Sequence, residues 1–448
     1  MDYTTKHRRS YLCEYKLVWW KKIMIALLLM VIPGCGLVTR EDSVSSPSSE
    51  AEPVQLTITY AMGDGAHHKG IQTIINDFKK SHLNVQISVV EHTQQAKGYA
   101  DELSLLDAMG QFPDLVEMRD TQMFADAGLL AELPKSIVGL FDDIPKVNGT
   151  IYTAPLKAEV PQGIVYNKKL FREWGLNEPA TYQQFLELCQ IIRAKGIYPL
   201  VVGGKDLWHM GFWTNHFMLD HVYSKDQEWN RKRTAGQVSW TDAGPEEAFR
   251  DLKVLWNEDY IVPGFMNIAD YQTIDYLVRG KAVMMMSGPW MFSQLKQADP
   301  DFEIGFFPVP DRQGRVHIFG LPQPSGWAMT SLAAADPNKA KVIEQFLHFF
   351  YSNEEYAKYL QAVGGTPVTK EHTFIQSSEL MQEVEQWLDN PDMLKLRGME
   401  HYWGADEIPA GFRNAFYDLV QDMLSGTMSI DDALIEADRI WDERKVRR

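Results

Sequence analysis

Two kinds of hydrophobic spacing alternate along this chain, and the alternation limits it to few architectures. Leu56, Ile58 and Tyr60 recur every second residue between threonines, as a half-buried strand requires. After the turn Met62-Gly63-Asp64-Gly65, an apolar stripe of Ile71, Ile74, Ile75 and Phe78 follows at helical spacing. Val85, Ile87 and Val89 return to a period of two. A crossover of this length is too long for a hairpin, so strand, helix and strand predict a parallel βαβ unit. A third strand is expected from Asp114 to Met118, and further short strands at Val283 to Met286 and Ile304 to Phe307. Helix starts are marked by Thr181 with Gln184, by Asp336-Pro337 and by Ser429 with Asp432. The pattern predicts α/β structure throughout. At 448 residues, two large lobes are expected.

The apolar fraction of 45% supplies enough material for such cores. The formal net charge is −16, with acidic residues spread along the chain, so a polyanion would be repelled and nucleic acid is excluded as a partner.

The N-terminus reads as an export signal. Lys6, Arg8, Arg9, Lys16, Lys21 and Lys22 precede an apolar run from Ile23 to Ile32. Ten apolar residues are too few for a bilayer-spanning helix, which needs roughly 20. The run ends in Ile32-Pro33-Gly34-Cys35, which resembles a bacterial lipobox, and the resemblance implies cleavage before a lipidated Cys35. Val18 to Lys22 would already open a compact signal, which leaves the start at Met1 or near Val18. Removing residues 1–34 leaves 38 basic and 58 acidic side chains and the cysteines Cys35 and Cys189. With Cys35 lipidated, no internal disulfide forms, and Cys189 lies at core spacing with Phe185, Leu188 and Ile192. Residues 36–53, rich in serine and charge, read as a flexible tether.

The chemistry of catalysis is hard to find. There is no His-Glu-x-x-His, no Cys/His cluster, no Gly-x-Ser-x-Gly elbow and no Walker-type phosphate loop. His67-His68 reads as solvated surface. No cofactor and no metal is expected.

Four segments carry a resemblance. They are Pro113-Asp114-Leu115-Val116-Glu117 with Ala127-Gly128-Leu129-Leu130-Ala131-Glu132-Leu133; Asn148-Gly149-Thr150-Ile151-Tyr152-Thr153-Ala154-Pro155 running into Gly163-Ile164-Val165-Tyr166-Asn167-Lys168-Lys169-Leu170-Phe171; Gly280-Lys281-Ala282-Val283-Met284 with Gly288-Pro289-Trp290; and Ser325-Gly326-Trp327-Ala328-Met329 with Gly364-Gly365-Thr366-Pro367. In this order and spacing the chain resembles family 1 extracellular solute-binding proteins, the sugar-binding components of ABC importers. The resemblance implies a two-lobed, periplasmic-binding-protein-like fold of type II, with the ligand in a cleft between lobes joined by several crossing segments. It implies one lobe from residues 54–162 and 318–371, and a second from 163–317 and 372–448. It further implies a monomer, lipid-anchored on the outer face of the cell membrane of a Gram-positive bacterium, that captures an oligosaccharide for ABC permease subunits and is not an enzyme.

A sugar cleft needs aromatic rings for the C–H face of a pyranose, and carboxylates, amides and arginines for its hydroxyl rim. Trp290 follows Gly288-Pro289 at a strand's carboxyl end, where α/β ligands collect, and matches the family's stacking position. Trp213, Trp327 and Trp403 are further stacking candidates, the first two with core packing as the alternative. Asp64 and Asp120 follow the first and third strands. Each is a candidate ligand carboxylate, with Asp-Gly turn chemistry as the alternative for Asp64 and capping of the following helix as the alternative for Asp120. Glu159 matches a family position that often holds a ligand carboxylate. Arg413 falls where some relatives carry an aromatic ring, which opens the way to a uronate ligand. The rival readings are a surface-anchored carbohydrate-active enzyme, whose two carboxylates would stand about 5–10 Å apart, and a same-fold binder of a non-sugar solute.

Overall fold

The computed structural model describes residues 53–62, 64–91, 98–158, 161–319, 323–371, 379–388, 390, 392–399, 401, 403–404 and 407–445. The export signal, Cys35, the tether up to residue 52 and Glu159 lie outside the described residues.

The expected alternation is found. β1 (Val54–Thr59), β2 (Val85–Val89) and β3 (Leu115–Met118) form a parallel set, joined by the helix α1 (Gly65–Ser81) between the first two and α2 (Tyr99–Ala108) between the second and third. β4 (Gly163–Asn167), β5 (Tyr198–Leu200), β6 (Ala282–Ser287), β7 (Ile304–Phe307), β8 (His317–Phe319), β9 (Gly326–Met329) and β10 (Leu394–Leu396) follow. The first four-stranded sheet runs β2-β1-β3-β9, with β9 antiparallel to β3 and Trp327 opposite Glu117. The second runs β5-β6-β4-β7, and β8 pairs with β10 separately.

The anticipated caps operate. Thr181 accepts the Gln184 N–H at 3.2 Å, Asp336 accepts those of Asn338 and Lys339 with Pro337 in the first turn, and Ser429 accepts that of Asp432 at 3.0 Å. α3 (Thr121–Asp126) is a short helix after β3.

Each sheet has its own core. The first gathers Leu56, Ile58, Tyr60, Ile74, Phe78, Phe346 and Phe350. The second gathers Ile164, Tyr166, Phe185, Cys189, Met284, Trp240, Phe412 and Trp441. Burial raises the Cys189 thiol well above its ordinary pKa, as befits a core residue. The chain leaves the first core after Leu156, enters the second at Ile164, and comes back to the first at Trp327. At this return Gly326 has φ +131°, and a Cβ there would lie 1.9 Å from the Ala154 carbonyl oxygen, so glycine lets the crossing segment and β9 touch. Trp327 and Ala154 then exchange both backbone hydrogen bonds, at 2.8 and 2.9 Å.

Two expected stacking residues are corrected here. Trp327 is fully buried, with its ring centroid 6.0 Å from that of Phe346, 5.8 Å from Phe350 and 6.4 Å from Tyr60. Strand alternation turns it into the first core, with no face for a ligand. Trp213 sits on the helix Met210–Met218, all nine residues of which are buried, and packs on Phe185 and Phe217. A helix enclosed on all sides presents no open ring. His67-His68 is also corrected: His67 is buried on α1.

Near the second core, His401 is buried with its ring 3.8 Å from that of Trp403. Burial, with help from the nearby Arg397 charge, lowers its pKa to about 4.

Two outcomes follow from this packing. Trp327→Ala leaves a large void, and denaturant unfolding should show a loss of about 3–5 kcal/mol. His401 folds as a neutral ring, while the unfolded chain takes up the proton at the ordinary value of 6.5. The unfolded state therefore binds more protons between these values, and the contribution of His401 is lost as pH falls from about 6.5 to about 4. His401→Gln should flatten the stability–pH curve in that window by about 3 kcal/mol. Equal slopes for variant and parent would refute this.

Candidate ligand-binding cleft

The first wall is built where β1 and β3 end. Asp64 caps α1, its Oδ1 accepting the backbone N–H of Ala66 at 2.8 Å and of His67 at 3.3 Å. The same oxygen accepts the Gln294 Nε2–H of the facing lobe at 3.3 Å. Glu117, the lone charge within β3, is buried and receives four donors. Arg119 Nε and Nη2 reach its Oε1 at 3.0 and 2.8 Å, and the Ala61 N–H and His67 Nε2 reach its Oε2 at 2.9 and 2.8 Å. Burial by itself would raise this carboxyl, but Arg119 and His67 outweigh it and hold Glu117 well below the usual carboxylate range.

Asp120, half-buried at the start of α3, makes no capping hydrogen bond. Burial pushes its carboxyl up, against the pull of Arg413 and Arg119. A residue free of capping duty and set among charges suits a ligand-facing role.

The second wall carries aromatic rings. Trp290 stands three residues beyond the end of β6 and is half-buried. Its ring lies over Gly288, where a Cβ would come within 2.1 Å of it. It packs 5.8 Å from Phe212, with the Lys157 ammonium 5.9 Å above it. Phe212 in turn meets the edge of Trp208 at 5.3 Å, so the centroids of Trp208 and Trp290 lie no more than about 11 Å apart. Trp208 is 41% exposed, so part of its ring is open to a ligand or to solvent. It leans on His209, which Asp270 holds at 2.6 Å. Below the rings a cavity of about 10 Å³, lined by Phe212, His216, Met286, His317 and Ile318, has room for about one water.

Between the lobes lies a cavity of about 480 Å³. Asp101, Asp120, Gln122 and Asp126 line it from the first lobe, and Glu407, Ile408, Arg413 and Asn414 from the second. Its rims are joined. Asn414 Nδ2 donates to Asp101 Oδ2 at 3.2 Å, and the Gly404 N–H to Gln122 Oε1 at 3.3 Å. Elsewhere along the contact, Ser293 Oγ donates to the Ala362 carbonyl at 3.0 Å, beside the Gln294–Asp64 pair.

The structure thus puts Asp120 and Arg413 on one cavity, whereas Trp290 packs on the second core and is not among the residues that line it. Trp403, half-buried, is spent partly on His401 and sits next to the rim glycine. Asp64 serves as a cap and a cross-lobe partner. Sequence reasoning passed over Trp208, Glu117, Arg119, Gln294 and Asn414. Two of these carried a signal: Trp208 follows a strand and a Gly203-Gly204 turn, as Trp290 follows β6 and Gly288, and Glu117 interrupts an apolar strand. Among the described residues, no group of three or more His, Cys, Asp or Glu side chains could hold a metal ion.

Comparison with known proteins agrees with this architecture. The sequence profile of bacterial extracellular solute-binding proteins matches residues 65–357. The multiple sugar-binding protein of Streptococcus mutans is 24% identical over 365 residues, covering 78% of this chain and 83% of its own. The melibiose/raffinose/stachyose-binding protein of Bacillus subtilis is 22% identical over 340 residues, covering 73% and 75%. Among solved structures, a chitin oligosaccharide binding protein superimposes with a TM-score of 0.75 at 20% identity, over 88% of this chain and 99% of that one. A Bacillus licheniformis sugar transporter in complex with stachyose gives a TM-score of 0.73 at 16% identity, over 87% and 100%. The two-lobed type II fold is the one these structures share, and the chain belongs to the family of bacterial extracellular solute-binding proteins.

Proposed function

We propose that this protein captures a carbohydrate of at least two pyranose units outside the cell and delivers it to the permease subunits of an ABC importer. The observation that carries this reading is the interlobe cavity of about 480 Å³ with Asp120, Arg413 and Asn414 on its lining, in a structure whose second lobe also carries the ring row Trp208–Phe212–Trp290. The accessible face of Trp208 and the half-buried ring of Trp290 are each suited to the C–H face of a sugar unit. Asp120, Arg413 and Asn414 supply groups suited to hydroxyls from other parts of the cleft. Micromolar affinity needs only about −8 kcal/mol, within reach of two stacked rings and a few charge-assisted hydrogen bonds. The names of the relatives support the same solute class. Export and a lipidated Cys35 complete the proposal: the receptor stays at the membrane, at high local concentration around its permease.

A thermal-shift screen of the mature chain against raffinose, stachyose, mannobiose, chitin oligosaccharides, uronates and peptides tests it. A bound sugar at 100 times its Kd should add about 2.7 kcal/mol of stability, and the sugar should be recovered intact. Stabilisation by peptides alone would overturn the sugar class, and glycoside turnover would overturn binding without catalysis. Trp208→Ala and Trp290→Ala should each raise Kd about tenfold or more, near 1.4 kcal/mol, with little change in the ligand-free melting temperature. Cys35→Ala should release the protein from the membrane fraction, and retention there would refute lipid anchoring.

A further inference from the structure

Glu117 is placed to act on a ligand through its neighbour. β3 is an interior strand of the first sheet, and Glu117 stands near its carboxyl end, facing away from solvent. Its two oxygens share four donors, so the side chain is fixed in place. His67, one of the four, is itself held by Tyr359 at 3.1 Å through its other ring nitrogen. Arg119 is gripped along one edge by Glu117, and its guanidinium carbon lies 5.9 Å from the centre of the Tyr99 ring. The Tyr99 hydroxyl donates to the Glu117 carbonyl at 2.8 Å, which closes the assembly.

For all this restraint, about half of the Arg119 side chain is open, at 52% relative exposure. Its neighbour in sequence is Asp120, on the interlobe cavity. A guanidinium carries five N–H donors in one plane, and Glu117 takes two. The other N–H groups lie in the same fixed plane, a geometry that matches two adjacent oxygens. Charge selects between a neutral hydroxyl pair and a carboxylate. Arg119 is already matched by Glu117, and Arg413 lies close enough to Asp120 to pull on its charge. The cavity lining adds Asp101, Asp126 and Glu407. A ligand carboxylate would meet this acidic surface without an unmatched cation, whereas hydroxyls meet no such penalty.

We propose that Arg119 is a specificity-determining residue that donates to a pair of adjacent hydroxyls on a neutral sugar, and that Glu117 is the positioning residue that fixes its donor edge. This rests on the carbohydrate reading above and narrows it to uncharged sugars.

The test is a double-mutant cycle by titration calorimetry on the mature chain, with raffinose, mannobiose, N,N′-diacetylchitobiose and glucuronate as probes. Arg119→Ala should weaken the neutral sugar bound by the parent at least tenfold, and Arg119→Lys should restore only part of this, since a single ammonium lacks the planar pair. Glu117→Gln should weaken binding severalfold in the parent and have no further effect in the Arg119→Ala background. Glu117→Asp provides the same comparison if the Gln variant does not fold. Unchanged affinity in Arg119→Ala, or tighter binding of glucuronate than of any neutral probe, would overturn the role of Arg119. Full additivity of the two substitutions would reduce Glu117 to a structural residue. Absence of heat for every probe with the parent protein would sink the carbohydrate reading together with this one, and is distinguishable because parent and variants then behave alike.

Discussion

A single buried carboxylate organises the first lobe. β1 and β3 pair over a short stretch, Ile58 with Leu115 and Thr59 with Val116. Such a short ladder would leave the strand ends free to fray, yet the cleft is built from those ends. Glu117 pins the outgoing end of β1 through the Ala61 N–H, the start of α1 through His67, and the turn after β3 through Arg119. At the other end of β3, Asp114 repeats the device, accepting the Thr57 N–H and hydroxyl at 2.8 Å and the Lys339 ammonium at 2.8 Å. A buried charge is costly unless it is matched, and removing one partner of such a pair typically costs about 3–5 kcal/mol. The same cost makes this arrangement single-valued, because a shift of β3 by one residue would strand both carboxylates.

The second lobe solves the problem differently. Its strand ends carry packed rings rather than matched charges. Phe212 is buried and carries Trp208 on one side and Trp290 on the other. Gly288 lets Trp290 lie flat against the backbone, and the His209–Asp270 pair props Trp208 outward. One lobe therefore orders its strand ends by matched charges, and the other by packed rings, with the polar Arg413 and Asn414 on the cavity lining.

Much of the architecture was legible because periodicity records burial directly. The alternation of Leu56, Ile58 and Tyr60, the stripe of α1, and the caps at Thr181 and Asp336 all concern neighbours close in sequence. Even the location of Trp290 followed from local order, a buried strand and then Gly288-Pro289. Site residues were harder because their roles depend on neighbours far along the chain. Trp327 and Trp290 both stand beside glycines, yet one faces Phe346 and Phe350 and the other stands half open. His67 looked like surface because its partners, Glu117 and Tyr359, are 50 and 292 residues away. Asp64 reads in the sequence as a ligand carboxylate or a turn residue, yet it caps α1 and meets Gln294, 230 residues on, across the lobes.

The rims of the cleft have a dynamic consequence. Asn414–Asp101, Gly404–Gln122, Ser293–Ala362 and Gln294–Asp64 are single hydrogen bonds, the first exposed and the others partly buried, and two of them end on carboxylates. The two neutral ones contribute about 0.5–1.5 kcal/mol net each, and the two on carboxylates about 1.5–3 kcal/mol at most. Seams of this kind come undone on thermal energy, in the microsecond to millisecond range typical of hinge motion. The work of parting the lobes is thus set by these few hydrogen bonds together with the attraction between Arg413 and Asp120, rather than by a buried apolar seam.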